Sequence, residues 1–205
     1  MKFLISAGPT REKIDPVRFI TNYSSGRMGY AIAMAARHAG HDVTLVSGPV
    51  ALPEPDGVEV IHVESAAEMA QEVQAHAQAA DVIIMAAAVA DYRPANPDTH
   101  KMKKMPGDLV LKLERTEDIL ATLGKNKREN QLLVGFAAET DDLEQNALGK
   151  LKRKNLDWIA ANWVADGFGT ATNSLIMFSR DGKKVSLPDA DKKILAENLI
   201  KTILA

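Results

Sequence analysis

The chain has 205 residues, 46% hydrophobic and 25% charged, with a formal net charge of −2. That length carries one large domain or two small ones, and the near-balanced charge excludes a global basic field of the kind that binds nucleic acid. Cysteine is absent, which excludes a disulfide framework, a thiolate zinc site and a cysteine nucleophile. No apolar run reaches membrane-spanning length and no signal-peptide core opens the chain. The expectation is a cytoplasmic protein with neither a membrane nor a nucleic-acid partner.

In chain order, Phe3-Leu4-Ile5 reads as a buried strand. A long loop follows from Gly8, and an alanine-rich helix runs from Gly26 to Ala39, closed by Gly40 at the position that favours a left-handed residue. Asp42 to Val46 is the second strand and Val58 to Val63 the third, separated by a loop with Pro53, Pro55 and Gly57. Ser65 with Glu68 forms a capping box for a helix reaching about Ala80. Val82 to Ala88 is continuously apolar, as in a strand covered on both faces.

The stretch Asp91 to Pro106 carries three prolines and Lys101-Met102-Lys103-Lys104, and reads as a mobile loop. Leu109 to Leu113 is the next predicted strand, and a short helix spans Thr116 to about Leu123. Leu132 to Ala137 is another buried strand. Asp141 and Glu144 are expected to cap a helix with Leu143, Ala147 and Leu151 on its inner stripe. Asp157 to Ala161 is a strand, and residues 164–172 are a loop. Ser174 to Ser179 and Lys183 to Leu187 form a β-hairpin around Asp181-Gly182. A last helix starts near Asp189 with Leu195, Leu199 and Ile203 inward. Strand and helix alternate, so a mainly parallel sheet covered by helices is predicted, ending in a hairpin plus helix.

Three places collect polar groups at strand ends. The first is Asn22-Tyr23-Ser24-Ser25-Gly26, which brings a carboxamide, hydroxyls and backbone N–H groups to a helix N-terminus. First-turn N–H groups are unpaired and the helix dipole favours anions, so Ser24, Ser25 and Gly26 are phosphate-binding candidates; ordinary serine capping is the competing reading. The second is Ala86 to Tyr92, including Asp91, continuing to Lys101. The third is Phe136 to Thr140, continuing to Lys150 and Lys154. Small residues let a ligand approach the backbone, and the lysines supply charge for a nucleoside triphosphate plus a second phosphorylated substrate. The competing reading of the lysines is solvated surface charge. The five histidines are scattered without metal-ligand spacing, and no metal ligands are assigned. Gly26 and Gly29 match the last two glycines of the dinucleotide fingerprint, but its first glycine is missing.

Together these blocks resemble the bacterial phosphopantothenate–cysteine ligases. The resemblance covers essentially the whole chain: Gly8-Pro9-Thr10-Arg11-Glu12, Asp15-Pro16-Val17-Arg18, Ile20 to Gly29, Val46 to Pro49, Ala86 to Tyr92, Lys101 to Lys104, Val134 to Thr140 and Lys154 to Asp157. It implies a Rossmann-like three-layer α/β fold, with residues 1–205 as one ligase domain. It also implies CTP-dependent joining of 4′-phosphopantothenate to L-cysteine through an acyl-cytidylate, with Mg2+ (or Mn2+), in a homodimer whose sites are shared. By position, Asn22 matches the asparagine that handles the acyl-cytidylate and Lys101 the mobile-loop lysine that reaches the triphosphate. Asp91, Asp118, Ile119, Phe136, Lys150 and Lys154, with the backbone of Met85, Ala86 and Ala87, match nucleotide-site positions. The family's Asn-Pro-Asp-Ile block stands here as Thr116-Glu117-Asp118-Ile119. Many members follow a flavin-dependent decarboxylase domain; the chain begins at the ligase's first strand, so no flavin is expected. The alternatives are an NAD(P)-binding oxidoreductase of similar fold and a non-catalytic nucleotide-binding subunit.

Overall fold

The computed structural model describes residues 1–104, 106–164 and 172–205. The strands are β1 (Lys2–Ala7), β2 (Arg11–Lys13), β3 (Phe19–Thr21), β4 (Asp42–Ser47), β5 (Glu59–His62), β6 (Val82–Met85), β7 (Tyr92–Pro94), β8 (Leu113–Arg115), β9 (Leu132–Glu139), β10 (Trp158–Trp163), β11 (Thr172–Ser179) and β12 (Lys184–Asp191). The helices are α1 (Arg27–His38), α2 (Ala66–Ala77), α3 (Ile119–Asn126), α4 (Leu143–Arg153) and α5 (Lys192–Leu204).

The main sheet has eight strands in the order β12-β11-β10-β9-β6-β1-β4-β5. From β5 to β10 neighbours are parallel, and β11 and β12 add antiparallel strands at one edge. The order reverses between β1 and β6: β4 and β5 lie on one side, β9 and β10 on the other. Residues leaving the C-terminal ends of β1 and β6 therefore face one crevice, where open α/β sheets bind ligands.

Burial explains this arrangement. Leu4, Ile5, Ile83, Ile84, Leu133, Val134 and Ile159 are all at most 1% exposed, as central strands with helices on both faces require. One core layer joins β1, α1 and α5 through Ile5, Ile32, Leu195, Leu199 and Ile203. The other joins the opposite sheet face to α2, α3 and α4 through Leu4, Met69, Val73, Leu123, Ala147 and Leu151. The expected inner stripes of α4 and α5 are thus in the core.

Several expectations are corrected. The segment after β1 is a small antiparallel ribbon, β2 against β3, with the Arg11 guanidinium 4.6 Å from the centre of the Phe19 ring across it. The strand from Val82 ends at Met85, where the chain bends and Ala88 bridges to Pro9. Leu109 to Leu113 is not a strand: Leu109 and Val110 are exposed, and only Leu113 joins β8, which pairs with β7. Neither Asp141 nor Glu144 caps α4. Its N-cap is Asp142, held at φ 43° without a side-chain cap bond, while Asp141 accepts from Thr140 Oγ1. The α2 box is shifted by one residue: Ser65 Oγ accepts from the Glu68 N–H, but Glu68 accepts from the Glu64 N–H. Of the expected 164–172 loop, residues 165–171 lie outside the described residues.

Candidate active site at the sheet switch point

The crevice between β1, β6 and β9 opens into a cleft of about 320 Å3. Nine of the candidate residues line it: Asn22, Ser24, Ser25, Gly26, Ala86, Ala87, Asp91, Phe136 and Lys150.

The α1 N-terminus forms one wall. Its N-cap is Gly26, at φ 76° and with no side-chain cap bond. Neither serine caps the helix; Ser24 Oγ instead accepts from the Gly26 N–H at 3.3 Å. A β-carbon at Gly26 would lie 2.7 Å from Val50 Cγ1, in a backbone region that L-residues avoid. Glycine therefore brings the open first turn, Arg27 to Gly29, against the cleft. Unpaired N–H groups at a helix start receive an anion well.

The strand ends are pinned to each other. Ala87 N–H donates to Ser6 Oγ and Ala90 N–H to Thr10 Oγ1, while Thr21 Oγ1 donates to the Thr10 carbonyl. Asn22 Nδ2 donates to the Ala88 carbonyl at 2.9 Å, which ties the ribbon's exit to the β6 end. Its oxygen and second N–H make no further hydrogen bond among the described residues.

The cations form two groups. Lys150 Nζ donates to the Phe136 carbonyl at 2.6 Å. Burial and the neighbouring Lys154 ammonium lower its pKa, opposed by Glu139, Asp118 and Asp91. Lys154 itself pairs with Asp118 Oδ1 at 2.9 Å, outside the cleft lining. Burial pushes the Asp118 carboxyl up, but the Lys154 ammonium and the Ala121 N–H outweigh it and hold the group below its usual value. At the other end are Arg27 and Lys192. Lys192 is 7% exposed, and burial and Arg27 lower its pKa.

Other candidates fall elsewhere. Met85 and Ile119 are buried core residues outside the lining. Lys101 is exposed on the segment beside the ribbon, also outside the lining. Sequence reasoning missed Arg27, Asn162, Asn173 and Lys192, all in the cleft wall. Asn162 carried a readable signal, an amide at the end of the apolar run Ile159-Ala160-Ala161. Among the described residues, no cluster of three His, Asp or Glu side chains is placed to hold a metal, and no helix is long and apolar enough to cross a membrane.

Fold and cleft define an α/β protein of the Rossmann-like class with an anion-receptive site at its switch point. Within that class, the chain belongs to the family described as DNA/pantothenate metabolism flavoprotein C-terminal domain, whose family model matches residues 1–205. It is 50% identical over 206 residues to the coenzyme A biosynthesis bifunctional protein CoaBC of Bacillus subtilis, covering 98% of this chain and 50% of that protein. It is 49% identical over 207 residues to a cysteine/cysteine sulfinic acid decarboxylase of an unknown prokaryote, covering 99% of this chain and 58% of that protein. The chain thus spans about half the length of these curated relatives. A crystal structure of the C-terminal domain of CoaBC superimposes with a TM-score of 0.85 at 49% identity, covering 98% of this chain and 93% of that one.

Proposed function

We propose that the chain is a CTP-dependent phosphopantothenate–cysteine ligase acting in coenzyme A synthesis, with residues 1–205 as its ligase domain. The observation that carries this reading is the open α1 N-terminus facing the Ala86–Asp91 strand end, with Asn22 between them. The match to the C-terminal domain of CoaBC supports it.

In the first half-reaction the carboxylate of 4′-phosphopantothenate attacks the α-phosphate of CTP. The bond to the β-phosphate breaks and pyrophosphate leaves. The cysteine amine then attacks the acyl carbon, CMP leaves with the bonding pair, and the amine gives up its proton. No protein nucleophile takes part, so catalysis comes from positioning and from charge aimed at the developing phosphate charge. Ser24, Ser25 and Gly26 would receive phosphate. Asn22 would donate to an acyl or phosphate oxygen. Lys150, with Lys154 and Asp118 behind it, would serve the nucleotide end, and Arg27 and Lys192 the opposite end. Mg2+ keeps several waters and binds through one or two carboxylates plus substrate phosphates. Asp91 is the carboxylate of the cleft lining that fits that role.

Lys101 enters differently. The segment that carries it is held at the ribbon tip, four residues before Asn22 in extended chain, or about 13 Å along the strand. A lysine anchored there serves the cleft of a second copy, and we take the chain to act as a homodimer.

The test is pyrophosphate release by the purified protein with 4′-phosphopantothenate and Mg2+, comparing CTP with ATP, with and without cysteine. The expected result is release with CTP and cysteine-dependent CMP formation. Release with ATP alone overturns the nucleotide assignment. CTP binding without release turns the chain into a nucleotide-binding subunit, and nicotinamide binding without CTP binding favours an oxidoreductase. Carbon dioxide release from cysteine without nucleotide would favour the chemistry named for the second relative.

A further inference from the structure

Asp15 is an unusual carboxylate. It sits in the turn between β2 and β3, and its side chain has 0% exposure. Oδ1 accepts from the N–H groups of Val17 and Arg18, both at 2.8 Å. That half is an ordinary turn-closing bond set. Oδ2 does something a turn does not need. It accepts from Arg18 Nε at 3.0 Å and from Arg18 Nη2, and also from the Met102 N–H at 3.1 Å, 87 residues further on.

Arg18 Nη2 completes the grip by donating to the Met102 carbonyl at 3.1 Å. Both polar groups of Met102, in the segment 98–104 that forms a flap on the ribbon, are therefore held by one ion pair. A further backbone bond, Asp98 N–H to the Ile14 carbonyl at 2.9 Å, fixes the flap's other end. Lys101 lies between these anchors. The same ribbon runs from this turn straight into Asn22, which is tied to the β6 end. The Arg18 guanidinium and the converging N–H groups hold the Asp15 carboxyl far below its usual range against the opposing effect of burial, so it stays ionised.

We propose that Asp15 is a positioning residue for Lys101. By accepting the Met102 N–H on the oxygen that also holds Arg18, it fixes the flap against the ribbon tip in the place from which Lys101 acts. The inference rests on the reading of Lys101 given above. Charge-assisted bonds are the strong ones, and a carboxylate so held offers a single geometry to the flap. Asparagine at this position keeps the shape, but an amide N–H would face the Met102 N–H and the guanidinium.

The experiment compares full-length wild type, Asp15→Asn and Met102→Pro. Met102→Pro deletes the flap's N–H and leaves the Asp15–Arg18 turn whole. Limited trypsin digestion reads the flap without any nucleotide. In Asp15→Asn, cleavage after Lys101, Lys103 and Lys104 should quicken by about fivefold, with the chain outside the flap and the 14–18 turn protected as before. In Met102→Pro the same gain is expected after Lys103 and Lys104, since trypsin does not cut before proline. Pyrophosphate release in the first half-reaction should fall by about tenfold in kcat, with the nucleotide KM changed less. Added to Lys101→Gln, Asp15→Asn should cost no more than about twofold further, because it acts through the same side chain.

Unchanged flap protection in either variant overturns the proposal. So does a loss that multiplies in full on the Lys101→Gln background. Faster turnover in Asp15→Asn overturns it too, since the bound flap would then be a parked state. If wild type releases no pyrophosphate with any nucleotide, the ligase reading fails on its own, and the digestion still decides whether Asp15 holds the flap.

Discussion

At the scale of single residues, the cleft combines one committed donor with a cation kept short of its ordinary basicity. Asn22 spends one N–H on the Ala88 carbonyl at 2.9 Å, and the rest of its amide is what the proposed role at the acyl group would use. Asn22→Asp replaces that donor by an acceptor facing a carbonyl and adds negative charge beside an acyl phosphate. Pyrophosphate release with CTP should persist while cysteine adduct formation drops by about a hundredfold. Product formation at the wild-type rate would remove Asn22 from the second step. Lys150 makes a pH prediction. Burial, then Lys154, lowers its pKa, so the folded protein binds fewer protons than the unfolded chain between the lowered and ordinary values. Stability of the free protein therefore rises with pH through that window. A bound triphosphate favours the protonated form. CTP affinity should be full below the lowered pKa and decline as pH rises through it. Titration calorimetry from neutral to alkaline pH should show that decline, and Lys150→Gln should weaken binding at neutral pH and shrink it. A decline that survives in Lys150→Gln would point to Lys192, whose pKa burial and Arg27 also lower.

At the scale of elements, the site depends on how closely α1 rides on β1. A β-carbon on Gly29 would lie 2.5 Å from Ala7 Cβ and 3.0 Å from the Ser6 carbonyl oxygen, so the helix cannot keep its place with alanine there. Gly29→Ala should cost about 1–3 kcal/mol in a denaturant melt and also weaken CTP binding, because the shift moves the Gly26 end of the helix. Wild-type affinity in a destabilised variant would mean that the helix start does not hold the nucleotide. The β1–α1 unit was legible in the sequence: an apolar strand, a glycine at the helix start and Gly40 at its end, where φ is 84°. So were the other large-sheet strands and helices, because burial on one or both faces imposes a period or an apolar run. The ribbons were not. β2, β3, β7 and β8 are three residues each, too short to show a period. Leu109 and Val110 misled for the opposite reason, since apolar spacing suggested a strand where both side chains are exposed. Of the cleft, Asn22 to Gly26 could be read because they are contiguous at a helix start. Arg27, Asn162, Asn173 and Lys192 meet only through the sheet order, which places the starts of α1 and α5 beside the end of β10 and the start of the antiparallel β11.

At the scale of the whole molecule, the placement of Lys101 separates two arrangements. The ribbon tip that holds its flap stands about 13 Å of extended strand away from Asn22, and Met102 is bonded there through both its N–H and its carbonyl. Val17 at that tip, Tyr23 beyond Asn22 at the ribbon's other end, and Tyr92 and Leu113 in the ribbon of β7 and β8 are all exposed, Val17 at 59% and Tyr23 at 96%. Apolar side chains left in water along both ribbons fit the second copy proposed above. The consequence is quantitative. Lys101→Gln and Asn22→Asp should each impair product formation when pure. In a two-fold dimer, each site would combine Asn22 of one chain with Lys101 of the other. Mixing the two variants after subunit exchange makes half the dimers mixed, and each mixed dimer regains one intact site of two. Activity should therefore return to about a quarter of wild type. Recovery near that value places Lys101 in the neighbour's cleft, and the absence of recovery in a mixture shown to have exchanged subunits requires the flap to leave the ribbon and close over its own. Adding Asp15→Asn to the chain that keeps Lys101 should lower the recovered activity, whereas adding it to the Lys101→Gln chain should not, since only the first alters the flap that supplies the working lysine.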